Sequence, residues 1–293
     1  MRKPITLTAV TVALLMVGSV TYVALDGGES RSQSDAIELV RVPPGTVTYL
    51  PPGEYLRNGM PVSPDRVTRD FENDVVIMKR NVSQAEYAQC VAAKACRALD
   101  KGFRDGNAPD KPAVGVSWRD ATAYAQWLSD RTGNTYRLPT YAEWAYAAGS
   151  AYIEDAILEF DDTTDPAQRW LAEYKLETQR KSDVNPLPQV FGYFGTSSTG
   201  LQDIAGNIWD WTMDCHTRQY QDVGSDGQAL SGENCGVRVL GGRHISYITD
   251  FVRDPKSGAC SVGIPPNNLG FRLVQDTGQT TTAAMRLRDR LGI

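Results

Sequence analysis

The segment Gly200-Leu201-Gln202-Asp203-Ile204-Ala205-Gly206-Asn207-Ile208-Trp209-Asp210-Trp211-Thr212 decides how this sequence is read. Gly206-Asn207 is a turn signal, because glycine and, less freely, asparagine accept positive φ at low cost. Ile208 to Trp211 then reads as a short strand, with Trp209 and Trp211 on one face and Ile208 and Asp210 on the other. An aspartate between two large aromatics is costly to bury unless it is paired, hydrogen-bonded or bound to a cation. Two carboxylates with turn carbonyls suit Ca²⁺, which gathers several oxygen ligands. A hydrogen-bonded turn without metal is the alternative.

Helix signals lie upstream. Ser83 with Glu86, Ser117 with Asp120 and Thr140 with Glu143 each have capping-box spacing. The first predicts a helix carrying Tyr87, Cys90 and Val91 inward. The second predicts one with Ala121, Tyr124, Trp127 and Leu128 on its apolar face, stopped by Thr132-Gly133-Asn134. The third ends near Gly149, with Trp144 and Ala148 sharing a face. Strands are expected over Ile37–Val42, Thr46–Leu50, Val75–Met78 and Val237–Leu240, with Asp214–Gly236 as a loop-rich stretch. Ala151–Arg180 is acidic and amphipathic, with Trp170, Leu171 and Tyr174 on one possible helical face, and reads as an insertion.

Within 293 residues, 41% are hydrophobic and 22% charged, which is ordinary for a globular chain. The net charge of -5 argues against nucleic acid as a partner. With only two histidines, His216 and His244, a histidine-rich metal centre is excluded. No GxGxxG, Walker or HExxH pattern occurs, so nucleotide-dependent chemistry is not expected.

Met1-Arg2-Lys3 precedes an uncharged run from Pro4 to Leu25. A basic start followed by an apolar run is an export signal. Its length favours an uncleaved inner-membrane anchor over a cleaved signal peptide. Residues 1–25 are therefore read as anchor, 26–36 as tether, 37–275 as the folded domain in the periplasm and 276–293 as a flexible tail. In an exported chain the cysteines are expected to pair. A chain reversal after Cys90 would join it to Cys96, and Cys215–Cys235 would staple the polar loop between them. Cys260 is left over.

The opening segment resembles the central signature of the formylglycine-generating-enzyme (sulfatase-modifying factor) family. Val116-Ser117-Trp118, Tyr136-Arg137-Leu138-Pro139-Thr140 with Glu143-Trp144, Gly241-Gly242-Arg243 and Asn268-Leu269-Gly270-Phe271-Arg272 follow in the family's order. The resemblance implies an α+β, C-type-lectin-like fold, rich in loops and poor in regular secondary structure. It also implies a structural Ca²⁺ held by the Asp203 and Asp210 carboxylates and the Gly206 and Ile208 carbonyls.

In the enzymes of that family, two cysteines after the Gly-Gly pair bind copper and activate oxygen. Those positions here fall on Ser246 and Phe251, so copper is not expected, because soft Cu(I) needs thiolate ligands. The stretch Arg243–Asp254 instead carries His244, an acid/base or ligand candidate, with Ser246 beside it and Arg243 and Arg253 to orient a polar or anionic substrate. A polar network holding a loop-rich core is the alternative for the same residues. Without the copper cysteines, the chain most resembles the family's pyoverdine-maturation branch. That resemblance implies an oxidative maturation step on a small secreted molecule or peptide in the periplasm. The rival reading is a non-catalytic binding or assembly factor on the same scaffold.

Overall fold

The computed structural model describes residues 37–103, 106–152, 187–204, 206–223, 229–242, 246–249 and 268–277, with Ala167, Leu171, Tyr174 and Lys175 from the segment between. The proposed anchor and tether, Arg243, His244, Arg253, Cys260 and the tail beyond Thr277 lie outside the described residues. Among the described residues no helix is long and apolar enough to cross a membrane.

Five short strands open the domain: β1 (Leu39–Val42), β2 (Gly45–Tyr49), β3 (Glu54–Arg57), β4 (Met60–Pro61) and β5 (Val67–Phe71). The fully buried β6 (Val75–Met78) follows, then helix α1 (Gln84–Ala92). Next come α2 (Trp118–Thr132), β7 (Thr135–Arg137) and α3 (Tyr141–Ala148). The chain finishes with β8 (Trp209–Val223), β9 (Ala229–Gly241), β10 (Ser246–Thr249), β11 (Leu269–Gly270) and β12 (Val274–Asp276). β12 takes in Asp276, one residue beyond the boundary expected at 275.

All three capping boxes form, each with its serine or threonine oxygen on the third helical N–H and the N3 carboxylate returning to the cap. Gly133 ends α2 in the left-handed conformation, with φ of 74°. The N3 carboxylates of α1 and α3 do a second task. Glu86 accepts from both terminal nitrogens of Arg80 at 2.8 and 2.9 Å, and Glu143 from those of Arg137 at 2.7 and 2.6 Å. Each helix start is thereby tied to the segment preceding it.

One sheet has the order β1-β6-β12-β7, all antiparallel, so the first and last described strands both flank β6. A second has the order β10-β9-β8-β3-β4, with β11 also pairing in parallel with β8. Strands β2 and β5 pair separately. Side chains divide between two apolar clusters. Met78, Trp209, Trp211, Leu240 and Leu273 join α1 and α2 in one cluster, whereas Ile77, Val239 and Val274 join α3 in the other. The alternation of a strand thus fills both clusters at once. Among the described residues, α1 to α3 and the mainly antiparallel sheets give the α+β architecture expected.

Two expectations need correction. The strand after Gly206-Asn207 does not stop at Trp211 but continues to Val223. The stretch 214–236 is not mainly loop: it supplies most of β8 and the first half of β9, paired antiparallel from Asp210↔Gly241 to Val223↔Ala229. Its polar residues hide this because register shifts between Trp211 and Cys215, between Cys215 and His216, and between Gln219 and Val223 interrupt the two-residue alternation. Backbone pairing and the Cys215–Cys235 disulfide hold what apolar patterning does not announce. Cys90–Cys96 forms as expected.

Burial pushes the Glu143 carboxyl up, but Arg137 and the Thr140 cap outweigh it and leave it below its ordinary value. Glu86 is lowered in the same way, with Arg80 and Ser83 overcoming burial. A carboxylate lowered on folding contributes stability that is present above its unfolded pKa of about 4.3 and is lost as pH falls through the folded value. The urea midpoint should therefore drop as pH is taken below about 4.3. Glu143→Gln should be less stable at pH 7 and should show a shallower acid drop. An unchanged slope in that variant would remove Glu143 from the acid response.

Candidate functional site

The fold fixes both ends of the segment in which chemistry is expected. β9 ends at Gly241, which Gly242 follows, and Gly241 lies opposite Asp210 in the ladder. A Cβ on Gly241 would overlap the Trp144 ring and one on Gly242 the Trp209 ring, so only glycine lets this strand close on both indoles. The chain returns at Asn268, whose carbonyl accepts from Trp209 N at 2.8 Å, and β11 then pairs Leu269 with Trp209 and Gly270 with Asp210. A Cβ on Gly270 would overlap the Ala113 carbonyl and Ile208. Residues 243–267 therefore leave from one side of the first residues of β8 and return on the other.

Between those two attachment points sits Asp210, wholly buried. Its Oδ1 accepts from Asn81 Nδ2, and its Oδ2 accepts from Trp144 Nε1 at 3.0 Å and Arg272 Nε at 2.8 Å. Arg272, also buried, donates to Asn81 Oδ1 at 3.1 Å and to the carbonyls of Lys79 and Gln202 at 3.2–3.3 Å. Burial pushes the Asp210 carboxyl above its ordinary value, while Arg272, Trp144 and Asn81 act in the opposite direction. The compensation the sequence demanded for Asp210 is this guanidinium and its two neutral donors.

That arrangement does not fit the calcium set expected at Asp203, Gly206, Ile208 and Asp210. Both oxygens of Asp210 already accept from N–H donors, and a divalent cation there would face a guanidinium. Asp203 is spent separately: its carboxylate accepts from Gly192 N at 2.6 Å and Phe194 N at 2.7 Å. Its own backbone is left-handed, with φ of 53°. Asp203 accepts from backbone N–H groups of the 192–194 turn and Asp210 from the side chains around Arg272, so the two carboxylates serve different partners.

Ser246 is the first residue of β10, opposite Leu240, with Tyr247 opposite Val239 and Ile248 opposite Arg238. Arg243, His244 and Arg253 lie outside the described residues, and so does Phe251. Arg272 and Asn81 are the residues whose role the sequence reading did not assign. A buried aspartate calls for a cation, and Arg272 stands in a motif piece already singled out. Asn81 carries no such signal. A separate polar groove of about 360 Å³ is lined by residues including Arg69, Glu72, Asp74, Arg137, Glu143 and Asp276. Nothing in the sequence had marked it.

The fold and its glycine-bounded segment define a C-type-lectin-like α+β domain. Residues 27–277 match the FGE-sulfatase model, a sulfatase-modifying factor enzyme 1-like domain, and the chain belongs to that family. It is 30% identical over 187 residues to a formylglycine-generating enzyme of Streptomyces coelicolor, covering 60% of this chain and 56% of that one. It is 27% identical over 171 residues to inactive C-alpha-formylglycine-generating enzyme 2 of Mus musculus, covering 57% and 50%. The chain thus spans about half the length of the curated relatives it matches. Among solved structures, PvdO from Pseudomonas aeruginosa shares the fold, with a TM-score of 0.51 and 23% identity over 81% of this chain and 94% of that one.

Removing one partner of a buried ion pair leaves an uncompensated charge and costs about 3–5 kcal/mol. Asp210→Ala and Arg272→Met should each destabilise by about that amount in urea titrations. The double variant should lose less than the sum of the two. Additive losses would show that the pair is not coupled. Chelator should leave the melting temperature of the unmutated protein unchanged.

Proposed function

We propose that this chain is an exported maturation factor that assists oxidation of a small secreted molecule or peptide, of the pyoverdine-chromophore type, without copper–thiolate chemistry. The observation that carries the reading is a retained scaffold around an altered segment. Gly241-Gly242, Asp210 and Arg272 hold the attachment points of residues 243–267. Within that segment, serine stands at the position where the resemblance calls for the first copper cysteine, and phenylalanine at the second. The fold shared with PvdO supports the choice of branch. His244 is the proposed acid/base or ligand, with Arg243 and Arg253 orienting the substrate and Ser246 offering a hydroxyl.

A non-catalytic binding factor is the second reading. What favours it is that one similar mammalian protein is itself named as inactive. Comparative mass spectrometry of a gene-deletion strain separates the two. Deletion should accumulate an immature metabolite or peptide. A general acid–base residue contributes roughly 10²–10⁴-fold in rate, so His244→Ala present at normal level should fail to complement. Full complementation by that variant would favour the binding factor, and a deletion with no altered product would reject both the maturation step and its substrate class.

The basic start and long apolar run support a domain held outside the inner membrane on a tether. Fractionation should recover the full-length chain with the inner membrane, protease-accessible only after the outer membrane is permeabilised. A soluble, trimmed periplasmic form would replace the anchor with a cleaved signal.

A further inference from the structure

The two disulfides occupy different surroundings. Cys90–Cys96 is buried in the apolar cluster of α1 and α2, with Cys90 fully buried. Cys215–Cys235 joins β8 to β9 and is only half-buried. Opposite Cys215 in the ladder is Arg238. Arg238 Nη1 lies 3.1 Å from Cys215 Sγ and donates to the Met213 carbonyl at 3.0 Å. The same guanidinium stacks 3.8 Å over the ring of Trp118, whose Nε1 donates to the Thr212 carbonyl at 2.9 Å. A carbonyl and an indole thus fix a cation against one sulfur of the bridge. The opposing charge is Glu233, whose carboxylate lies with both sulfurs inside a 4.8 Å cluster. Glu233 is exposed, and water screens it more than it screens the stacked guanidinium.

We propose that Cys215–Cys235 is an exchangeable disulfide that oxidises thiols, small or peptide-borne, with Arg238 stabilising Cys215 as the leaving thiolate. Exchange runs faster when the leaving thiol has a low pKa, and a stabilised thiolate makes the pair more oxidising. An incoming thiolate bonds to Cys235 Sγ, the S–S bond breaks, and its electron pair departs on Cys215 Sγ beside Arg238. A second substrate thiolate attacks the substrate sulfur of the mixed disulfide and releases Cys235. Two substrate thiols become one disulfide, and the two cysteines take up the two electrons and two protons. The step is stoichiometric, uses neither metal nor oxygen, and does not rest on the maturation reading above.

The test is equilibration of the full-length protein in reduced and oxidised glutathione at neutral pH, followed by alkylation and peptide mass analysis of both bridges. Cys215–Cys235 should open at a glutathione ratio that leaves Cys90–Cys96 closed. Arg238→Met should shift the equilibrium at least tenfold toward the disulfide, about 30 mV for this two-electron couple. Arg238→Lys should retain most of the wild-type value, which a merely structural arginine would not predict. Glu233→Gln should move the equilibrium the other way, by less. The proposal is overturned if Arg238→Met titrates with wild type, or if the buried bridge opens at the same ratio. Should Arg238→Met not fold, an unchanged ratio in Glu233→Gln overturns it as well.

Discussion

The ion pair between Asp210 and Arg272 is the interaction on which the rest of the domain depends. It draws together the start of β8, Arg272 two residues past β11, Asn81 beyond β6 and Trp144 of α3. These groups come from points far apart in the chain, so satisfying one carboxylate requires four separate segments to arrive together. In a low-dielectric interior an unsatisfied partner is costly, whereas a complete network specifies one arrangement. Arg272 extends the constraint by donating to the carbonyls of Lys79 and Gln202, which lie outside regular ladders. A loop-rich domain gains definition from polar closure where long sheets and helices would otherwise provide it.

Around that centre, small residues and large aromatics fit as opposites. Gly241 and Gly242 let β9 close over Trp144 and Trp209, and Gly270 admits β11 beside Ile208. Trp209 and Trp211 face one apolar cluster, while Asp210 between them reaches Trp144 of the other. The alternation of a strand explains how a single short motif serves both clusters and the polar centre. The two ends of the segment from 243 to 267 are fixed by backbone pairing and glycine packing.

Much of this was legible in the sequence where the physics is local. A capping box needs only a serine or threonine and a carboxylate three residues on, so all three helix starts were placed by Ser83, Ser117 and Thr140. The need of Asp210 for compensation was legible too, but not the identity of its partner. The choice between a metal and a guanidinium depends on a contact spanning 62 positions, which no local pattern records. The β8–β9 hairpin was missed for a different reason: its bulges destroy the alternation by which strands are recognised, and its polar outer half buries little. Ser246 stands in β10, opposite Leu240 of β9. The segment's histidine and arginines are known from sequence alone, and their geometry lies outside the described residues.

The separation of scaffold from chemistry bears on how family membership should be weighed. Asp210, Arg272, Gly241 and Gly242, among the motif residues that carry the resemblance, satisfy a buried charge or admit a tryptophan. Such residues carry the fold, and a fold does not by itself fix a reaction. A serine at position 246 offers a hydroxyl but not the soft thiolate that Cu(I) needs. The Cys215–Cys235 disulfide of the β8–β9 hairpin is placed by backbone register and faced by Arg238. Family membership therefore fixes the frame in which a site is built, while the identity of the donors within it decides which reaction that site is able to support.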